Sequence, residues 1–176
     1  MTPSLTIRMM QPGDLPVVLA IQAACYTEIP PETAASIQCK QSASPTTCFV
    51  AWHHGEVVGY LLALPWQLAQ PPALNAEIAH LPVAPDCLYL HDLAVSPQAR
   101  NQGVGRALID TFFECLRQSG LPQASLVAVQ NAAPYWQRFG FRRVDPSPSL
   151  QSQLATYSPR AQYMIWLPEP PLTGES

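Results

Sequence analysis

Apolar residues along this chain repeat with two different periods, and the switches between them mark out a succession of short strands and helices. Leu5 to Met9 reads as a first strand. Asp14 stands where a helix N-cap belongs, and Leu15 to Tyr26 carries helical spacing at Leu15, Val18, Leu19, Ile21 and Ala24. Residues 27 to 47, punctuated by Pro30, Pro31 and Pro45, form a second loop or short helix. Apolar runs near 48–53 and 56–64 flank His53, His54 and Gly55, which read as a hairpin turn with both histidines exposed. The stretch from Pro65 to Asp86 holds five prolines and exceeds the usual length of a connection, which marks it as functional or mobile. A strand over Leu88–Val95 follows, then a helix over Val104–Ser119 with apolar residues at Val104, Leu108, Phe112 and Leu116, a strand within 125–130, a short helix from Pro134 and a last strand. This alternation predicts an α/β (layered α+β) domain, a mixed sheet flanked by helices, spanning 1–168, with 169–176 as a disordered tail.

Composition narrows the partners. The chain has 176 residues, enough for one core, and carries a net charge of −3. Its only lysine is Lys40, so it has no basic face for a nucleic acid backbone. Charged residues make up only 12% against 48% hydrophobic, which predicts exposed apolar surface or self-association as a homodimer. No run long enough to span a bilayer and no leader-like N-terminus is present, so the expected location is cytoplasmic. Five widely spaced cysteines without a C-x-x-C argue against both a disulfide framework and a zinc site. No metal is expected.

Chemistry concentrates between Leu88 and Gly105. An apolar strand leads through a short loop into a helix whose first turn contains Gly103 and Gly105, flanked by Arg100 and Arg106. The first N–H groups of a helix lack intrahelical partners, and the dipole there favours an anion. Two glycines let the backbone approach a diphosphate, and the arginines add charge-assisted hydrogen bonds. A dinucleotide fingerprint is excluded because its third glycine position is Leu108 and because seven residues separate Val95 from Gly103. A Walker loop is excluded by the lack of Gly-Lys-Ser/Thr.

The same residues carry a family resemblance. Arg100, Gly103 and Gly105 fit the Q/R-x-x-G-x-G/A signature of the GNAT N-acetyltransferases, and the run Pro134 to Phe141 resembles that family's last motif, a short helix entering a Gly-Phe. The strand pattern around His91, together with the Pro-aromatic-aromatic-Gln-Arg-Phe-Gly-Phe run, is most similar to the arylalkylamine (serotonin) N-acetyltransferases. The family pattern can be laid over residues 5 to 167, with its specific part in 88 to 141. The resemblance implies a mostly antiparallel sheet splayed at its fourth strand, with acetyl-CoA entering the gap. It places the pantetheine on Leu93, Ala94 and Val95, and the diphosphate on Arg100, Asn101, Gln102, Gly103, Val104, Gly105 and Arg106, with Asn131 and Trp136 as further cofactor contacts.

Amine acetylation needs a base, because an amine of pKa about 10 is mostly protonated at neutral pH. His91 is the candidate. By the period of two it shares a face with Tyr89, Leu93 and Val95, and Tyr89, standing where the resembling enzymes have another histidine, offers a relay to it. The alternative reading of His91 is a buried, hydrogen-bonded core residue. The thiolate-protonating tyrosine of many family members falls on Trp136, which does not titrate, leaving Tyr135 or water for that step. For the acceptor, the resemblance points to Tyr26, Glu28 and Trp66, with the Pro30-Pro31 turn. Their apolar character favours a small aromatic or hydrophobic amine over a polycation, with Glu28 and Glu32 leaving room for one ammonium contact. A protein N-terminus as acceptor, or a degenerate domain that only binds acetyl-CoA, are the alternatives.

Overall fold

The computed structural model describes residues 5–169. The expected tail therefore lies, apart from Glu169, outside the described residues. Besides two short 3-10 turns, Pro12–Asp14 and Pro97–Ala99, the described residues form β1 (Thr6–Met9), α1 (Leu15–Cys25), α2 (Ala34–Ala43), β2 (Cys48–His53), β3 (Glu56–Trp66), β4 (Cys87–Val95), α3 (Val104–Ser119), β5 (Ala124–Ala128), α4 (Ala133–Gln137), β6 (Arg142–Arg143), α5 (Pro148–Leu154) and β7 (Gln162–Trp166). The strands form one seven-stranded sheet in the order β1-β2-β3-β4-β5-β7-β6, antiparallel except for the β4–β5 pair.

Asp14 stands at the N-cap position of α1 as expected, but its side chain makes no cap hydrogen bond. Its carboxylate is taken by Arg8, at 2.8 and 2.9 Å, and by the Gln11 amide at 2.8 Å, which closes the turn before the helix. Residues 27 to 47 contain a ten-residue helix, α2, whose N-cap Thr33 accepts from the Ser36 amide. Helix α5 and the two-residue β6 had no periodic signal strong enough to read, being too short to show a repeat.

The sheet separates two apolar layers. On one face α3 buries Val104, Leu108, Ile109, Phe112 and Leu116 against Leu88, Leu90, Leu126 and Trp136. On the other, Val18, Ile21 and Ile37 from α1 and α2 pack on Val50, Tyr60, Leu62 and Ala94. Fully burying each such large side chain stabilises by about 1.5–3 kcal/mol, so both layers contribute to holding the sheet.

Two irregularities in β4 shape the gap beside it. The strand pairs with β5 only over Leu88–Leu90, opposite Ala124–Leu126, and then runs on to Val95 without a partner on that side. Against β3 the register jumps between Leu62, opposite Asp92, and Ala63, opposite Leu90, which leaves His91 as the extra residue of a β-bulge. A bulge shifts the alternation by one. Leu88 and Leu90 therefore share the α3 face with Leu93 and Val95, while Asp92 and Ala94 turn to the α1 face. The expected grouping of His91 with Leu93 and Val95 is thus overturned.

Candidate active site

The same bulge decides which way the backbone points. Ser96 donates to Val58 O at 2.7 Å, so position 96 faces β3, and alternation puts positions 94 and 92 with it. The peptide groups of Leu93 and Val95 accordingly face the opening between β4 and β5. Their carbonyls are already met from α1 and its end: the Tyr26 hydroxyl lies 2.9 Å from Leu93 O, and Cys25 Sγ 3.2 Å from Val95 O. The two N–H groups point the same way, as a strand edge does before a new strand joins it.

This opening continues into a cavity of about 570 Å³. The start of α3 forms part of its wall. Gly103 sits in the left-handed region at φ +79°, with open space where a Cβ would be. The first α-helical bond runs from Ala107 N to Gly103 O, which leaves the N–H groups of Val104, Gly105 and Arg106 in the first turn without an i−4 partner. A Cβ on Gly105 would lie 2.9 Å from the Tyr135 hydroxyl. Arg100 and Arg106 line the cavity, as does Arg138, which stands in the Pro134–Phe141 run.

The cavity also reaches two buried carboxylates whose pKa values are shifted in opposite directions. Glu32 contacts His91 Nε2 with one oxygen, and with the other it accepts from Lys40 Nζ at 3.0 Å and from Ser36 Oγ at 2.8 Å. Burial would raise its pKa, but His91 and Lys40 outweigh that and hold it down to about 2. Asp92 lies between the hydroxyls of Tyr26 and Tyr60, the latter at 2.7 Å, and burial there moves its pKa up. Neighbouring acids pushed apart in this way commonly mark a site of proton chemistry.

Most of the candidate residues meet in this cavity. His91, Tyr26, Leu93, Ala94, Val95, Arg100, Asn101, Gly103, Val104, Gly105, Arg106, Tyr135 and Trp136 all line it. Tyr89 does not. Its buried hydroxyl is 2.9 Å from that of Tyr157, which itself lines the cavity and donates to Pro72 O. Gln102 and Asn131 are exposed and outside the described lining. Glu28 is exposed and offers only its amide, to Gln130 Oε1 at 3.0 Å. Trp66 ends β3 away from the cavity and donates to Gln70 O at 2.7 Å. Glu32 does line it, but its carboxylate is fully engaged and so not free for an ammonium. Trp136 is buried in the α3-side core with its edge on the cavity, and the Tyr135 hydroxyl sits at the Gly105 end. Sequence reasoning also passed over Gln130, which bridges the opening: its Oε1 accepts from the Thr27 amide at 2.9 Å and its Nε2 donates to Cys25 O at 3.2 Å. Among the described residues no cluster of His, Cys, Asp and Glu is placed to hold a metal, and no helix is long and apolar enough to cross a membrane.

A model of the Acetyltransferase (GNAT) family matches residues 15–141, well over half of the sequence. The chain belongs to the GNAT family. GNAT members are acetyl-CoA-dependent N-acetyltransferases. Compared by sequence with curated proteins, this GNAT chain matches none. Its fold is similar to Ard1 from Thermoplasma volcanium, with a TM-score of 0.71 and 21% identity over 93% of this chain and 97% of that one. It is similar also to the GphF GNAT-like decarboxylase in complex with isobutyryl-CoA, with a TM-score of 0.75 and 19% identity over 92% and 98%. Arabidopsis thaliana Naa50, in complex with the bisubstrate analogue CoA-Ac-MVNAL, gives a TM-score of 0.67 and 15% identity over 92% and 97%. At these identities the likeness carries the GNAT fold.

Proposed function

We propose that this protein transfers the acetyl group of acetyl-CoA to the primary amine of a small aromatic or hydrophobic acceptor, by direct attack in a ternary complex. The observation that carries this reading is the continuity of one cavity from the α3 N-terminus, past the gap-facing peptide groups of Leu93 and Val95, to His91. The cradle fits a diphosphate: unpartnered N–H groups and an open Gly103 stand there, and three arginines line the same cavity. Bound acetyl-CoA supplies a thioester carbonyl open to attack. Leu93 and Val95 hold the pantetheine arm by their N–H groups, and Trp136 packs against it. His91 takes the proton that the acceptor amine must lose. The Tyr135 hydroxyl lies at the cradle, which favours water as the proton source for the departing thiolate. Ile29, Pro30 and Leu74 also line the cavity, an apolar surface suited to a hydrophobic amine. Five free thiols fit a reducing, cytoplasmic setting.

Two measurements test this. Gly103→Asn keeps a residue type that accepts the left-handed conformation while placing a side chain in the cradle, so acetyl-CoA affinity by calorimetry is expected to fall roughly tenfold or more with the fold intact. Unchanged affinity in the folded variant removes the cradle from the binding site. Release of free CoA is then followed with 2-phenylethylamine, tryptamine, spermidine and short peptides. Turnover with the aromatic amines is expected; turnover with peptides alone makes the acceptor a protein N-terminus, and turnover with none makes the domain a binder of acetyl-CoA.

A further inference from the structure

Lys40 is the only lysine in the chain, and its side chain is completely buried. A buried ammonium requires close partners, and it has them: Glu32 Oε2 at 3.0 Å, Ser36 Oγ at 2.7 Å and Ala76 O at 2.9 Å. These contacts take one side of the Glu32 carboxylate. The other side meets His91 Nε2. The far nitrogen of that ring, Nδ1, is buried and has no hydrogen-bond partner among the described residues, although His91 lines the cavity. An unpaired buried nitrogen is uncommon and calls for a ligand atom or water to complete it.

Resting on the acetyltransferase reading above, we propose that Lys40 and Glu32 are positioning residues for His91: Lys40 keeps Glu32 ionised, Glu32 accepts the Nε2 proton of the imidazole, and Nδ1 is left as the lone-pair nitrogen that receives the acceptor's proton. Ring tautomers are fixed in this manner whenever one nitrogen donates to a carboxylate. The other titratable groups around the ring are Tyr89 and Asp92 on β4, Tyr157 after α5, and Tyr26 at the end of α1; both Tyr89 and Tyr157 spend their hydroxyl protons on each other or on Pro72 O. Glu32 is thus the charged partner in direct contact with the ring.

In the step itself, an ammonium N–H bond breaks as Nδ1 gains the proton. The freed lone pair forms the C–N bond, and the C–S pair leaves with the CoA thiolate. The thiolate takes up a second amine proton through solvent, and the imidazolium returns its own to solvent.

Nitrogen-15 NMR of the histidine rings in the full chain reads the tautomer without any acceptor. In the wild type at neutral pH, His91 is expected as the Nε2–H tautomer with Nδ1 unprotonated; both nitrogens protonated, or Nδ1–H, overturns the proposal. Glu32→Gln leaves Lys40 buried without its anion and so endangers the fold, whereas Glu32→Gln combined with Lys40→Met removes both charges together. That double variant is expected to show mixed tautomers and, with an amine that the wild type acetylates, a kcat lowered roughly 10- to 1,000-fold with acetyl-CoA KM within about twofold. An unchanged tautomer and unchanged kcat in the double variant overturn the positioning role. Failure of the wild type to acetylate any amine would instead sink the functional reading, and the NMR result would still decide the tautomer.

Discussion

Glu32 and Asp92 show how burial alone does not fix the charge of an acid; the partners that burial brings decide it. Lysine and imidazole surround one carboxylate, while two phenols surround the other. The pH dependence of stability therefore has opposite signs for the two. For Glu32 the folded pKa lies below its ordinary 4.5, so its contribution is complete above that value and is lost as pH falls through about 2. For Asp92 the folded pKa lies above its ordinary 3.8, so the folded state loses stability as pH rises from there toward the raised value. Glu32→Gln is expected to be most destabilising near neutral pH, by about 3–5 kcal/mol as for a broken buried pair, with the deficit shrinking toward pH 2. Asp92→Asn is expected to lack the wild type's decline as pH rises above about 4. Urea unfolding across this range checks both, and equal deficits for Glu32→Gln at acid and neutral pH would contradict the charge state argued for Glu32.

Among the elements, β4 determines the site, and here the sequence was legible in part. Its apolar run, the glycine-bearing start of α3 and the short helix before Phe141 stand out locally, because strand period, helix period and turn chemistry are written in neighbouring residues. The bulge is not written there. It arises from the register between β3 and β4, and it moved His91 off the face that simple alternation gives it. Gln130 escaped notice, and Glu32 was read as a contact for an ammonium and not as the partner of His91, for a related reason, since Cys25 and His91 lie tens of residues away along the chain. Gln130 illustrates what such contacts do. With φ +53°, it holds a strained backbone position and ties the turn after β5 to the end of α1 by three hydrogen bonds. Gln130→Ala is expected to cost about 1–3 kcal/mol of stability and to speed amide exchange at Thr27 and Glu28, with acetyl-CoA KM raised. If exchange at those two amides is unchanged in the variant, the bridge does not hold the opening together.

At the scale of the whole molecule, the sheet is two blocks, β1 to β4 and β5 to β7, joined by three paired residues on β4 and by the α3-side core. The chain carries a net negative charge, yet three of its arginines line the cavity, which concentrates positive potential there for an anionic ligand. A ligand lying along Leu93 and Val95 would complete the sheet edge that β5 leaves uncovered, and so would stabilise the folded state through the block junction. At a hundred times its Kd such a ligand contributes about 2.7 kcal/mol, which for a domain of this size raises Tm by about 5–10 °C. Hydrogen exchange locates the effect. The Leu93 and Val95 amides are expected to exchange readily in the free protein and to become protected with acetyl-CoA bound, as do amides when a strand is added beside them. Added salt should slow association while leaving that protection pattern in place, because screening acts on the approach of the phosphates and not on the backbone contacts. A Tm that does not respond to acetyl-CoA, or protection confined to elements away from β4 and the start of α3, would show that the two blocks are not bridged in this way.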